Sequence, residues 1–505
     1  MHMPPLGLGA AEAAWEAHAQ PPGSLTLSQS QGHDSTFLGW IIGGDADDVA
    51  MPGVMDDHHH SHSVLHDLDH IPSSSSSSSV LPPFQPHVVH HSTHAAFPPF
   101  DTPPKPHHPP MPASPPKQTP PAGLLKPKPE APGTDDAATA VDQLAEAARL
   151  AEAGDVFGAR EILARLNYLL PPAHAAGATV TPLLRSAFYF KEALRAALST
   201  TTTTTTADAS SPVDVLLKID AYKAFSEVCP VLQFAHFTCV QAVLDELGGA
   251  ACIHVLDFDI GVGEQWASLM QELARRRPGA TLKVTALVST ASQSHHPLEL
   301  QLVHENLSNF AAETRVPFQL AFFDLDAMDP AELLAITAAD AVAVHLPSGS
   351  VHAPAVPSVL HLVRRLGAKL VVSVDRSCDR GQLPFAAHLF QAFQSCVFLL
   401  ESLDAVGTAS DVAAKIERFL IQPRIDRCVA ERYRAAAAGD KTPPWRAMLA
   451  SAGFVPVQAS SFAEAQAESL LKKVPVRGFR VEKRAGSLVL HWQRGELLSV
   501  SAWRC

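Results

Sequence analysis

No uninterrupted apolar run in this 505-residue chain approaches bilayer-spanning length, and no secretory apolar core stands near its start, so a soluble intracellular protein is expected. Cysteine is missing ahead of Cys229. The seven cysteines, at 229, 239, 252, 378, 396, 428 and 505, are odd in number and form no close pair, the usage of a reducing compartment. Cys252 and Cys396 lie inside apolar runs, where a thiol behaves as a small core residue. Basic excess is lacking as well: the net charge is −13, which argues against nonspecific nucleic-acid binding by the whole molecule. The terminal Ala-Trp-Arg-Cys505 supplies no prenylation box.

Composition divides the chain. The first 134 residues hold more than half of the 42 prolines and 26 histidines, a Ser73 to Ser79 run and proline-rich stretches from Pro103 to Pro132. Too little periodic apolar surface is present there to offset chain entropy, so residues 1–134 are expected to form a disordered arm. Its one apolar island, Phe37 to Ile42, precedes Asp45, Asp47 and Asp48 and reads either as a docking or activation segment or as a chance cluster. His58, His59, His60, His62, His66 and His70 have no accompanying cysteine and no framework to set a tetrahedral geometry, so a solvated tract is expected rather than a metal site.

The densest signal runs from Cys252 to Trp266. Cys-Ile-His-Val-Leu-Asp257 reads as a strand buried on both faces, Asp259-Ile-Gly261-Val-Gly263 as a tight turn, and Trp266 to Arg275 as a helix ended by Arg275, Arg276, Arg277 and Pro278. A dinucleotide site would add a third glycine and a ribose-binding carboxylate about 20 residues on. Trp266 occupies the glycine position, and no Asp or Glu lies between Glu272 and Glu299. A structural turn is therefore expected, with Asp257 capping the turn or the following helix, and no cofactor, metal or catalytic residue is assigned.

From residue 135 to 250 the pattern is helical: Val141, Leu144, Ala148 and Ala151, a Gly154-Asp155 break, then Ile162 to Leu170 closed by Pro171 and Pro172. Leu166-Asn-Tyr-Leu169-Leu170 also matches the LxxLL helix of coregulators, although core packing requires the same leucines. The Thr200 to Thr206 run is placed in a loop. From 251 to 505 strands and helices alternate and end in a hairpin, 478–483 with 487–492, that Leu498 to Trp503 extends or covers. The fold class is α/β: a methyltransferase-like doubly wound sheet, mostly parallel with a terminal antiparallel hairpin, beneath an N-terminal helical cap. Asp375 and Arg376, after the fifth strand, either line a ligand crevice or bridge loops. Trp445, Trp492 and Trp503 are expected to pack around the hairpin.

Between Ser469 and Cys505 stand eight Lys or Arg against Glu482 and Glu496. Lys472, Lys473, Arg477 and Arg480 are the candidate nucleic-acid-facing residues, while edge strands also carry such charges for solubility.

Ile253-His254-Val255-Leu256-Asp257 resembles the VHIID motif of the GRAS family of plant transcriptional regulators, and Ser501-Ala502-Trp503 resembles its terminal SAW motif. Leucine-rich helical regions flank the first motif, and a PFYRE-like region runs from about 340 to 428. Val255-Leu256 replaces the family's Ile-Ile pair, a volume-neutral change, and the PFYRE letters are poorly kept as a string. Ala187 to Glu192, Asp257 to Leu273 and Val500 to Cys505 are similar to the Hairy Meristem subgroup. The resemblance implies a nuclear transcription regulator or coregulator without established chemistry, acting through protein contacts. Its implied partners are homeodomain factors of the Wuschel-related class, and its implied role is meristem maintenance. DNA contact and homo- or heterodimerisation stay open. The two other classes are an S-adenosylmethionine-dependent methyltransferase and a direct DNA-binding factor.

Overall fold

The computed structural model describes residues 134–174, 180–199, 211–289, 295–338, 340–376, 382–439 and 442–505. The arm expected over 1–134, its Phe37 island and histidine tract, the threonine run and Cys378 lie outside the described residues, apart from Thr134, which begins the first helix.

Among the described residues five helices precede the first strand: α1 (Thr134–Glu152), α2 (Val156–Leu169), α3 (Pro182–Ala197), α4 (Pro212–Val228) and α5 (Pro230–Leu247). Gly154, at φ +83°, reverses the chain after α1, and Asp155 caps α2 by accepting from Gly158 N at 2.9 Å. The two helices form the expected hairpin. Ser211 and Asp214 close a reciprocal capping box on α4, with Pro212 at the first helical position. Cys229-Pro230 bends α4 from α5 by 86°, and among the described residues no single helix is long and apolar enough to cross a membrane. The LxxLL leucines serve the core: Leu166 and Leu170 are buried, whereas Tyr168 is 92% exposed. Leu166→Ala is therefore expected to cost about 2–5 kcal/mol, and Tyr168→Ala to leave the urea midpoint nearly unchanged.

The remaining elements are β1 (Cys252–Asp257), α6 (Glu264–Arg276), β2 (Thr281–Val288), α7 (Pro297–Thr314), β3 (Phe318–Asp324), α8 (Pro330–Thr337) and β4 (Ala341–His345). They continue with α9 (Val356–Arg365), β5 (Leu370–Asp375), α10 (Phe385–Ala405), α11 (Ser410–Ile416), α12 (Gln422–Ala437), α13 (Trp445–Ser451) and β6 (Val455–Val457). Last come α14 (Ser461–Lys473), β7 (Phe479–Arg484), β8 (Ser487–Trp492) and β9 (Gly495–Arg504). The sheet order is β3-β2-β1-β4-β5-β9-β8-β7. The first five are parallel neighbours, with β1 central: Ile253 faces Leu282 on one side and Ala341 on the other. This is the doubly wound, methyltransferase-like arrangement with an antiparallel end.

The end departs from expectation in two ways. The β7–β8 hairpin does not abut the parallel strands. Instead β9 is inserted, antiparallel to β5 on one edge (Val372 opposite Ala502) and to β8 on the other. The short β6, which carries little periodicity, also pairs with β9, Val457 opposite Ala502. The SAW strand thus extends the hairpin, one of its two expected placements, and lies in the sheet interior rather than covering it.

Period-two alternation sends neighbouring side chains to opposite layers. Ile253, Val255, Val500 and Trp492 join the core beneath α3, α5, α6 and α10, while Leu256, Trp503 and Trp445 join the core around α8, α9 and α13. The three tryptophans are buried as expected but do not form one cluster, because the sheet lies between Trp492 and the other two.

Candidate functional site

Asp257 ends β1 with its carboxylate wholly buried, and a buried charge must be fully hydrogen-bonded to persist. Oδ2 accepts from Trp266 Nε1 at 2.6 Å and from Gln265 Nε2 at 3.4 Å, both in the first turn of α6. Oδ1 accepts from the backbone N–H of Asp259 at 2.9 Å and from His345 Nδ1, at the end of β4, at 2.7 Å. One carboxylate thus caps the glycine turn, orients α6 and joins two strand ends. Burial disfavours a charged His345 ring, but the Asp257 charge and hydrogen bond override it and raise its pKa to about 10.

Elsewhere in the motif, His254 is buried between Asp340 Oδ2 (Nδ1, 3.1 Å) and Thr285 Oγ1 (Nε2, 2.9 Å). Burial raises the Asp340 carboxyl pKa, yet hydrogen bonds from His254 and from Lys283 Nζ at 3.1 Å bring it down to about 2. Ile253, Val255 and Leu256 are core residues. On β9, Ser501 and Trp503 are buried, Trp503 Nε1 donates to Ser501 Oγ at 2.9 Å, and Ala502 packs in the core beneath the cap. The Arg446 guanidinium lies 5.2 Å from the Trp503 ring centroid. Both family motifs therefore place their side chains in the interior.

The turn needs its glycines for different reasons. Both have positive φ, +53° at Gly261 and +78° at Gly263. A Cβ on Gly261 would meet open space, whereas one on Gly263 would lie 2.7 Å from Cδ1 of Leu307 on α7. The close approach at the second glycine is made by a packed leucine. At the end of β2, Ser289 Oγ donates to Asp326 Oδ2 at 2.6 Å, so the carboxylate beside that strand end comes from the β3–α8 loop. Sequence spacing could not find it, since it follows a different strand. Arg376 bridges loops, as one of its two readings anticipated: Nη1 lies 3.9 Å from Asp259 Oδ2. Partial burial opposes the Asp259 charge, but Arg376, with His295, His345 and Arg424, holds its carboxyl below the usual range.

A cavity of about 120 Å³ opens over the carboxyl ends of β1, β4 and β5, between the glycine turn and the helical cap. Phe190, Tyr222, Ile260, Leu399 and Ile425 form much of its apolar wall, and Asp259, Arg376 and Arg424 its polar end. Sequence reading located the Asp259 turn and Arg376 but missed the contributions of the cap helices, which lie far away in the chain.

The basic candidates are exposed and do not belong to this crevice. Lys472 and Lys473 end α14, Arg477 follows it, and Arg480 lies on β7. Arg480 Nη1 is 3.2 Å from Glu482 Oε2, and Arg484 pairs with both Glu482 and Glu496. Part of the positive stretch is therefore compensated within the hairpin, as an edge meander requires.

A helical cap over a doubly wound sheet, with the first-strand carboxylate tied to the following helix, defines a capped α/β protein of the methyltransferase-like class. The model of the GRAS domain family matches residues 140–504, and the chain belongs to that family. It is 43% identical over 364 residues to Scarecrow-like protein 6 of Arabidopsis thaliana, covering 72% of this chain and 62% of that protein. It is 39% identical over 389 residues to Scarecrow-like protein 27 of the same plant, covering 74% of this chain and 59% of that protein. The crystal structure of SCL7 from Oryza sativa is similar with a TM-score of 0.57 at 27% identity, over 72% of this chain and 99% of that one. The family's members are plant regulatory proteins, and this chain spans about three-fifths of the length of the Scarecrow-like relatives it matches.

Proposed function

We propose that this protein is a nuclear transcription regulator or coregulator that works through protein contacts, in the manner of the Hairy Meristem subgroup, with Wuschel-related homeodomain factors as partners and meristem maintenance as its role. The observation that carries the reading is the use of Asp257: its carboxylate accepts from Trp266, Gln265, His345 and the Asp259 amide, so the motif that would serve a cofactor acts as scaffold. Subgroup, partners and nuclear placement rest on the sequence similarity of Ala187 to Glu192, Asp257 to Leu273 and Val500 to Cys505. The test is co-purification of the full chain from plant nuclei with a Wuschel-related factor, followed by a reporter assay of the pair. Absence of the factor from the purified material under conditions that retain other partners overturns the partner assignment.

Two measurements address the alternatives. Saturable micromolar heat on titration with S-adenosylmethionine would favour the methyltransferase reading. A direct DNA contact predicts a salt-dependent mobility shift on duplex DNA that is lost when Lys472, Lys473, Arg477 and Arg480 are replaced by glutamine in a protein that still folds.

A further inference from the structure

The cavity beneath the cap has a chemistry that the scaffold role does not use. Its wall is mostly apolar, contributed by α3, α4, α5, α10 and α12. Its polar end holds two guanidinium groups, Arg376 from the end of β5 and Arg424 from α12, together with the Asp259 carboxylate. The Arg376 contact with Asp259 is 3.9 Å, too long for a hydrogen bond, and among the described residues no hydrogen bond from its guanidinium to protein is made. A planar fork in that condition is suited to receive a second carboxylate in bidentate fashion. The nearby His345 charge is balanced by Asp257, and Glu264, the other carboxylate of the lining, accepts from Ser226 at 2.6 Å and faces His236 at 3.5 Å.

The wall itself carries a second irregularity. Between α11 and α12 the helix passes through a π turn, Glu417–Ile421, in which Gln422 N–H reaches back to Glu417 O. Pro423 has no N–H to continue the regular ladder, and the wider turn absorbs the break. Ile421, Arg424 and Ile425, on and just after this turn, all line the cavity. The Glu417 side chain anchors the turn to α3: its carboxylate accepts from Tyr189 Oη at 2.8 Å and lies 3.1 Å from Arg185 Nε.

We propose that this cavity is a binding site for a small monoanionic amphipath, an apolar body ending in a carboxylate that is gripped by Arg376 and Arg424 between sheet and cap. Such a ligand would join the strand ends to α12 and so couple the position of the cap to occupancy. The assignment is independent of the regulator reading, which needs only the outer surface.

The test is isothermal titration of the full chain with sodium decanoate and with decan-1-ol, which share a chain and differ in charge. Decanoate is expected to bind saturably at one site. Arg376→Gln should weaken it at least tenfold, towards the alcohol, without changing the alcohol's affinity. Ile425→Trp, which fills the apolar wall, should abolish both while circular dichroism is retained; Ala392→Met serves if that variant does not fold. No saturable heat with the unmodified protein, equal affinity for acid and alcohol, or decanoate binding untouched by wall-filling in a folded variant would each overturn the proposal.

Discussion

Replacing Asp257 by alanine is expected to lower the unfolding free energy by about 3–5 kcal/mol, the range for removing one partner of a buried ion pair. The carboxylate is wholly buried and serves His345, Trp266, Gln265 and the Asp259 amide together. Its loss leaves the Trp266 indole N–H buried without an acceptor and removes the counter-charge that keeps the buried His345 ring protonated. Urea denaturation followed by circular dichroism measures the effect, and a shift within about 0.5 kcal/mol would show that the hub is not needed for the fold. The pH dependence gives a second readout. Because the His345 pKa is raised from 6.5 to about 10 by folding, its contribution is fully present below about pH 6.5 and is lost as the pH rises through 10. Asp257→Asn keeps the shape and removes the charge that raises the pKa, so that alkaline loss should flatten.

Gly263→Val is expected to be the more damaging of the two glycine-turn substitutions. A branched side chain at φ +78° costs roughly 1–3 kcal/mol in backbone strain, and its Cβ would stand 2.7 Å from Leu307 Cδ1, adding about 1–3 kcal/mol of overpacking. Gly261→Val meets open space, so only the strain applies there. Leu307→Ala opens a cavity of its own in the core, so it should cost less in the Gly263→Ala background than alone, whereas its cost should be undiminished beside Gly261→Ala. Thermal melting of the single and double variants separates crowding from strain. Equal destabilisation at the two glycines would contradict the packing account.

Much of the fold was legible in the chain because its signals are local. A continuous apolar run ending in Asp257, two glycines and a periodic helix identify β1, the turn and α6, and repetition of the pattern identifies a parallel sheet. The insertion of β9 beside β5 was not legible, since Leu498 to Trp503 reads equally well as an outer or an inner strand when buried on both faces. Its place depends on hydrogen bonds to β5, more than 120 residues earlier in the chain, and to β8. The same limit applied to Trp445 and Trp492, whose shared aromatic character said nothing about which face of the sheet each would meet.

The candidate site divides along the same line. The amino-acid sequence by itself determined the helical cap, the alternating strands and helices, the glycine turn and the membership carried by the motifs at 253–257 and 501–503, because propensity, periodicity and turn chemistry act between near neighbours. Only the tertiary structure decided that Asp257 holds His345, that Leu307 occupies the space beside Gly263, and that Arg376 and Arg424 meet around Asp259 at the end of an apolar cavity. Those are contacts between residues distant in the chain, and their energies come from burial and charge in a shared interior that no window of sequence contains.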